Sequence, residues 1–324
     1  MPARLIDQVR WQDASAERLN FLKATGVEGV LIHVPREFAD GETHEADFSA
    51  MRRRVEAHGL ELTVLHCGGL PKDKIVRGQE GREAQARNWA AVVRGIGSAG
   101  VPLTATTFQG LGHFRTPPTD GRGGAQYSTF RLAELESTGQ RSWEHPGRPH
   151  EVITEAQMWD SLRWFYERVI PVAEEAGVRI CLHPDDPPIP DPLGGAARIT
   201  SSIENYHRIF DLVPGTANAM LFCQGCVAEM GVDIYDAIRS IGQRGKIGFV
   251  HFRDIRGTPY DFVETFIDEG QHDMLAAMQT YKEVGFEGPF MLDHTPRLPA
   301  PYDQSHGHAY ANGYIKALIQ VVYR

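Results

Sequence analysis

The sequence predicts an α/β fold of eight βα units closed into a (β/α)8 barrel. Short apolar runs alternate with longer stretches of helical periodicity along the chain. That alternation marks a parallel sheet with its crossovers outside. The apolar runs number eight, the count that closes a barrel. An open doubly wound sheet usually carries a Gly-rich phosphate fingerprint after its first strand, and this chain has none. The 324 residues are therefore read as one barrel domain, 1–324.

Arg4 to Val9 is expected to be the first strand, and Ala14 to Ala24 a helix that Gly26 stops. Val27 to Ile32 forms the second strand and runs into His33. Phe48, Met51 and Val55 stripe the next helix, closed by Gly59. Glu61 to Leu65 is the third strand, ending at His66. Glu80 to Ser98 turns Trp89, Val92 and Ile96 inward. Pro102 to Phe108 is the fourth strand. The rhythm then breaks: residues 109–150 are rich in Gly, Pro, Arg and Ser without sustained periodicity, and are expected to be an irregular active-site loop or lid. His113, Arg115, Arg122 and Tyr127 are its candidate substrate contacts. Thr154 and Gln157 make a capping box for a helix that Gly177 ends. Val178 to Leu182 is the fifth strand. Ser201 and Glu204 cap a helix to Leu212. Ala217 to Phe222, Ile247 to Val250 and Pro289 to Leu292 are strands six to eight, with helices striped by Ile234, Ile238 and Ile241, then by Met274, Met278 and Tyr281, between them. Ala309 to Val322 closes the chain.

Composition excludes several classes. An apolar share of 42% and a charged share of 23% describe a globule with a full core. A net charge of −9 disfavours nucleic acid as partner. Four cysteines, Cys67, Cys181, Cys223 and Cys226, are too few for a disulfide framework in so long a chain. With neither a signal-like N-terminus nor a run of about 18 apolar residues, the expectation is a cytoplasmic protein with reduced thiols and no membrane partner.

Chemistry gathers at the strand ends, where barrels keep it. His183-Pro184-Asp185-Asp186-Pro187-Pro188 follows the fifth strand, and its prolines make a stiff loop. The other ends supply His33, His66, Cys223, His251 with Arg253, and Asp293 with His294. A lone His on an apolar strand is usually a satisfied rim or core residue. Closure, however, aims successive strand ends at one centre. His183, Cys223, His251 and Asp293, from strands five to eight, make a donor set for one divalent metal. Its mixed softness suits Mn²⁺, Fe²⁺, Co²⁺ or Zn²⁺ better than Ca²⁺. Cys223 and Cys226 lack the second pair of a zinc ribbon.

The stretch from Ile170 to Arg179 running into the His183–Pro188 hexapeptide resembles the mannonate dehydratase family. So do Phe222-Cys223-Gln224-Gly225, His251-Phe252-Arg253 and Asp293-His294, in order and spacing over about residues 155 to 295. The resemblance implies a xylose-isomerase-like barrel and a divalent metal, Mn²⁺ or Fe²⁺, on His183, Cys223, His251 and Asp293. It also implies dehydration of a six-carbon aldonic acid, D-mannonate favoured, to a 2-keto-3-deoxy acid. The chain departs from the family in having a shorter segment before residue 155, and Thr107-Phe108 where the family has Asn-Phe.

Removing a proton α to a carboxylate requires charge stabilisation and a base. Arg253 is expected to hold the substrate carboxylate bidentately, and His294 and Tyr310 to serve as base and acid. Asp185, His33 and His66 are expected to meet substrate hydroxyls. A sugar isomerase or epimerase on the same barrel, and a non-catalytic barrel that keeps its metal, are the alternatives. The expected partners are a small sugar acid and further copies of the chain in a homo-oligomer.

Overall fold

The computed structural model describes residues 3–137 and 151–324. Its strands, in chain order, are β1 (Arg4–Arg10), β2 (Gly29–His33), β3 (Glu61–His66), β4 (Leu103–Thr106), β5 (Thr116–Asp120), β6 (Gln126–Arg131), β7 (Arg179–Leu182), β8 (Asn218–Cys223), β9 (Ile247–His251), β10 (Ile255–Thr258), β11 (Asp261–Glu264) and β12 (Pro289–Met291). The helices are α1 (Ala16–Ala24), α2 (Glu45–Glu56), α3 (Asp73–Val76), α4 (Arg82–Ser98), α5 (Leu132–Ser137), α6 (Glu155–Ala176), α7 (Ile203–Leu212), α8 (Gln224–Glu229), α9 (Ile234–Gly242), α10 (Met274–Glu283) and α11 (Gln304–Tyr323). Eight strands close into a barrel in the order β1-β12-β9-β8-β7-β4-β3-β2, all parallel.

The eight expected strands are these eight, and the expected helices lie between them. At the edges the chain differs. Ser202, rather than Ser201, caps α7 by accepting from Asn205 N. The last helix starts at Gln304, five residues early, because Asp303 caps it. The stretch expected to be wholly irregular, 109–150, contains an antiparallel pair, β5 and β6. These join β11 and β10 in a four-stranded sheet, β10-β11-β6-β5, beside the barrel mouth. Residues 138–150 of that stretch lie outside the described residues.

Side chains along a strand alternate between faces, and here one set packs the barrel interior while the other meets the helices. Ile6, Leu31, Val64, Leu103, Ala105, Cys181, Ala219, Leu221, Phe249 and Met291 fill the interior. Leu5, Val30, Leu62, Ile180, Met220, Val250 and Phe290 belong to the outer layer with Trp89, Phe165 and Tyr281.

Two strands break the alternation once. Val30 pairs with Leu62 but Leu31 with Val64, so Thr63 is an extra residue in β3. Met220 pairs with Ile247 but Leu221 with Phe249, so Gly248 is an extra residue in β9. Such bulges shift every later side chain by one position. Only glycine fits at position 248, since a Cβ there would sit 2.3 Å from Cys181 Sγ.

Candidate metal centre and active site

Each barrel strand delivers one inward residue to the C-terminal rim: Gln8, His33, His66, Thr107, His183, Cys223, His251 and Asp293. All but Cys223 line a cavity of about 420 Å³, together with His113, Arg115, Glu264, His294 and Arg297. Thr107 is the departure from the family noted above, whereas Gln8 was not anticipated, because an uncharged side chain at a strand end carries no ligand signal. Counting by twos from buried Ile6 reaches Gln8 and would have found it.

Donor atoms of His183, Cys223, His251 and Asp293 all lie within 4.8 Å of one another. Cys223 and His251 are register partners on β8 and β9. The His183 and His251 rings stand 5.3 Å apart. His183 Nδ1 hydrogen-bonds Pro184 O at 2.7 Å, which fixes the ring and leaves Nε2 for the centre. Both ring nitrogens of buried His251 lack a hydrogen-bond partner. Its Nδ1 stands 3.4 Å from Asp293 Oδ1 without a well-formed hydrogen bond, and a cation at the centre would satisfy it. Burial would raise the Cys223 thiol, but the Cys226 thiol, the Arg253 charge and His183 bring it well below the ordinary range. Burial lowers His251, yet Asp293 and Cys223 outweigh it and hold this imidazole up to about 9. Two imidazoles, a thiolate and a carboxylate with their donor atoms converged fit a divalent ion.

Arg253 lies beneath this centre, at 2% exposure, and does not line the cavity. Its Nη1 donates to Glu229 Oε1 at 3.0 Å and its Nη2 to Cys226 Sγ at 3.3 Å. Glu264, Asp186 and Asp293 stand 3.5, 3.8 and 3.4 Å from the guanidinium. The fork is engaged by Glu229 and Cys226 and ringed by buried carboxylates, so it does not reach the cavity as the expected substrate clamp would. The carboxylates come from α8, β11 and the segments after β7 and β12, too far along the chain for sequence spacing to reveal. Arg115 is the second cation of the network, bound to Asp186 and to Glu264 at 2.6 Å each.

Asp185 also points away from the cavity. It is buried, accepts from Thr200 N at 2.9 Å and stands 3.6 Å from Arg198, so it braces its loop. Tyr310 is 47% exposed on α11, packed against Phe266 and Arg122 outside the cavity. Arg122 pairs with Asp268, and the Tyr127 hydroxyl bonds Glu269, so neither reaches the cavity. His294, by contrast, lines it. Its Nδ1 lies 3.4 Å from Glu264 Oε2 and its Nε2 3.5 Å from Asp293 Oδ2. His33, His66, His113 and Arg115 line it too.

Comparison with known proteins agrees with this geometry. The family model for D-mannonate dehydratase (UxuA) matches residues 144–322. The chain is 26% identical to mannonate dehydratase 2 of Halalkalibacterium halodurans, over 96% of this chain and 98% of that one. It is 28% identical to the mannonate dehydratase of Enterococcus faecalis, over 95% and 96%. In fold it resembles the mannonate dehydratase of Streptococcus suis, with a TM-score of 0.84 at 23% identity, covering 99% of this chain and 95% of that one. A xylose isomerase domain protein of Planctomyces limnophilus superposes with a TM-score of 0.65 at 12% identity, over 99% and 98%. With the matched segment spanning more than half of its length and carrying all four converged donors, the chain belongs to the D-mannonate dehydratase family and is an enzyme of the hydro-lyase class.

Proposed function

We propose that the chain dehydrates D-mannonate to 2-dehydro-3-deoxy-D-gluconate, with one divalent ion held by His183, Cys223, His251 and Asp293. Mn²⁺ or Fe²⁺ matches the mixed hard and soft donors. When bound, the ion supplies Lewis-acid stabilisation of the charge that grows on the substrate carboxylate as C2 loses its proton. His294, the imidazole outside the donor set that lies beside Asp293, takes that proton and returns it to the C3 hydroxyl, which leaves as water and yields the enol that tautomerises to the 2-keto acid. Glu264 at its Nδ1 side orients the ring. Arg115 and Arg253 neutralise Asp186, Glu229 and Glu264 below, which keeps those carboxylates from repelling an anionic substrate. Among the described residues no helix is long and apolar enough to cross a membrane. A cytoplasmic homo-oligomer acting on a small sugar acid is part of the same reading.

The observation that carries the proposal is the convergence of the four donors beside His294 in one cavity. The test is product analysis. Mn²⁺-loaded protein is incubated with D-mannonate and a panel of other aldonates, and 2-keto-3-deoxy acids are measured with the loss of one water. Conversion at conserved mass would instead mean an isomerase or epimerase, and metal uptake without turnover of any aldonate a non-catalytic barrel.

A further inference from the structure

Two of the cavity imidazoles outside the four-donor set stand side by side. His33 and His66 end β2 and β3 with ring centroids 4.9 Å apart, edge to face. The structure fixes the proton on each. Gly68 N donates to His66 Nδ1 at 3.2 Å. A nitrogen that accepts carries no hydrogen, so the His66 proton sits on Nε2. Gly68 makes this possible: a Cβ there would lie 2.3 Å from His66 Cε1 and 3.0 Å from Nδ1, inside the ring's space. The other proton is fixed through Gln8. Its side-chain amide donates to the backbone oxygen of Asp293, which turns Oε1 to His33 Nε2 at 3.0 Å. An amide oxygen only accepts, so His33 donates from Nε2 and keeps Nδ1 as an acceptor. Burial holds both imidazoles below their ordinary range, which favours the neutral form.

The pair thus offers one fixed donor, His66 Nε2, and one fixed acceptor, His33 Nδ1, on the wall of one cavity. Among the described residues neither atom has a protein hydrogen-bond partner. A hydroxyl is the group that both accepts and donates; a carboxylate only accepts. We propose that His66 and His33 together read one hydroxyl of the substrate's C4–C6 chain, with Gly68 as the positioning residue that sets the donor. This rests on the aldonate reading of the site above. It makes the cavity selective for a particular hydroxyl, because a site built around a hydroxyl is left with unpaired polar groups by an analogue that lacks it.

Two measurements test it. The first is the ¹⁵N–¹H two-bond spectrum of the histidine rings in the full chain loaded with diamagnetic Zn²⁺. It is expected to show His66 as the Nε2–H tautomer, and Gly68→Ala to abolish that fixed pattern. An Nδ1–H tautomer at His66 in the unmodified chain overturns the proposal. The second compares kcat/KM for D-mannonate and its 4-, 5- and 6-deoxy analogues. One analogue should lose about tenfold or more with the unmodified chain, the scale of a hydrogen bond and its unpaired partner. That loss should shrink to about threefold or less in Gly68→Ala and His66→Phe, at unchanged metal content and mainly through KM. A loss that persists in both variants, or no discrimination among the three analogues, overturns it. If D-mannonate is not turned over at all, the functional reading fails, and the tautomer spectrum still decides this one.

Discussion

At the scale of single residues, His294 and Arg253 carry opposite expectations although both sit beside Asp293. His294 has 40% of its side chain exposed, in the cavity, whereas Arg253 has 2%. His294→Asn should keep the metal and bind substrate, yet lose on the order of 10² in turnover, the scale of a missing acid or base. Exchange in D₂O sharpens the test: a variant that still abstracts the C2 hydrogen at the normal rate would clear His294 of that role. Arg253→Met should instead strand Glu229 and Glu264, and is expected to cost about 3–5 kcal/mol of stability. Denaturant titration reads this directly, and a variant of normal stability would return Arg253 to the substrate. The sequence displays the positive charge of Arg253 but not its partners. Glu229 and Asp186 are brought to it only by barrel closure, so its function was not legible there.

At the scale of elements, the outward face of β1 is tied to α11 by one buried carboxylate. Asp7 accepts from His308 Nδ1 at 3.0 Å, from Asn312 Nδ2 at 2.8 Å and from Gln8 N at 2.7 Å. Burial raises the Asp7 carboxyl, but the bonds from His308 and Asn312 outweigh it and hold it below its ordinary value. A carboxyl depressed in the folded state stabilises above its unfolded pKa and loses that contribution as pH falls through the folded one. Asp7→Asn should therefore cost about 1–3 kcal/mol at neutral pH and flatten the loss of stability below about pH 4. Identical acid limbs in both proteins would remove Asp7 from that role. Elements of this kind were legible in part. The barrel strands stood out because buried parallel strands are unbroken apolar runs. The sheet at the mouth did not, since β5 carries Pro117 and Pro118 and most of β10 is exposed, leaving no pattern to count.

For the molecule as a whole, the proposed ion ties together β7, β8, β9 and the segment after β12, half of the barrel wall. A ligand that binds only the folded chain adds its binding energy to stability. Mn²⁺ at about a hundred times its Kd should add about 2.7 kcal/mol, measured by denaturation with and without chelator. Cys223→Ser should lower metal occupancy and shrink that increment, since a hydroxyl is a poor substitute for a thiolate. Unchanged occupancy by elemental analysis would sink the four-donor assignment. The donor set itself was legible because ligand-type residues at four successive strand ends are rare by chance in apolar surroundings.

The extra residues in β3 and β9 have a consequence for how such a site can change. Counted by twos from Leu62 and from Ile247, both helix-facing, His66 and His251 should also face the helices. They face inward only because Thr63 and Gly248 each add one step. The facing of the rim on these two strands is thus set several residues upstream, by the one residue that each ladder leaves out. Deleting Thr63 or Gly248 would restore regular alternation and keep His66 and His251 at the mouth, whereas drawing either extra residue into the ladder would bring Leu65 or Val250 there instead. A lineage could therefore shorten either strand by one codon and keep its rim, while a substitution that flattens the bulge would turn the histidine away, a change that an inventory of ligand residues would never register.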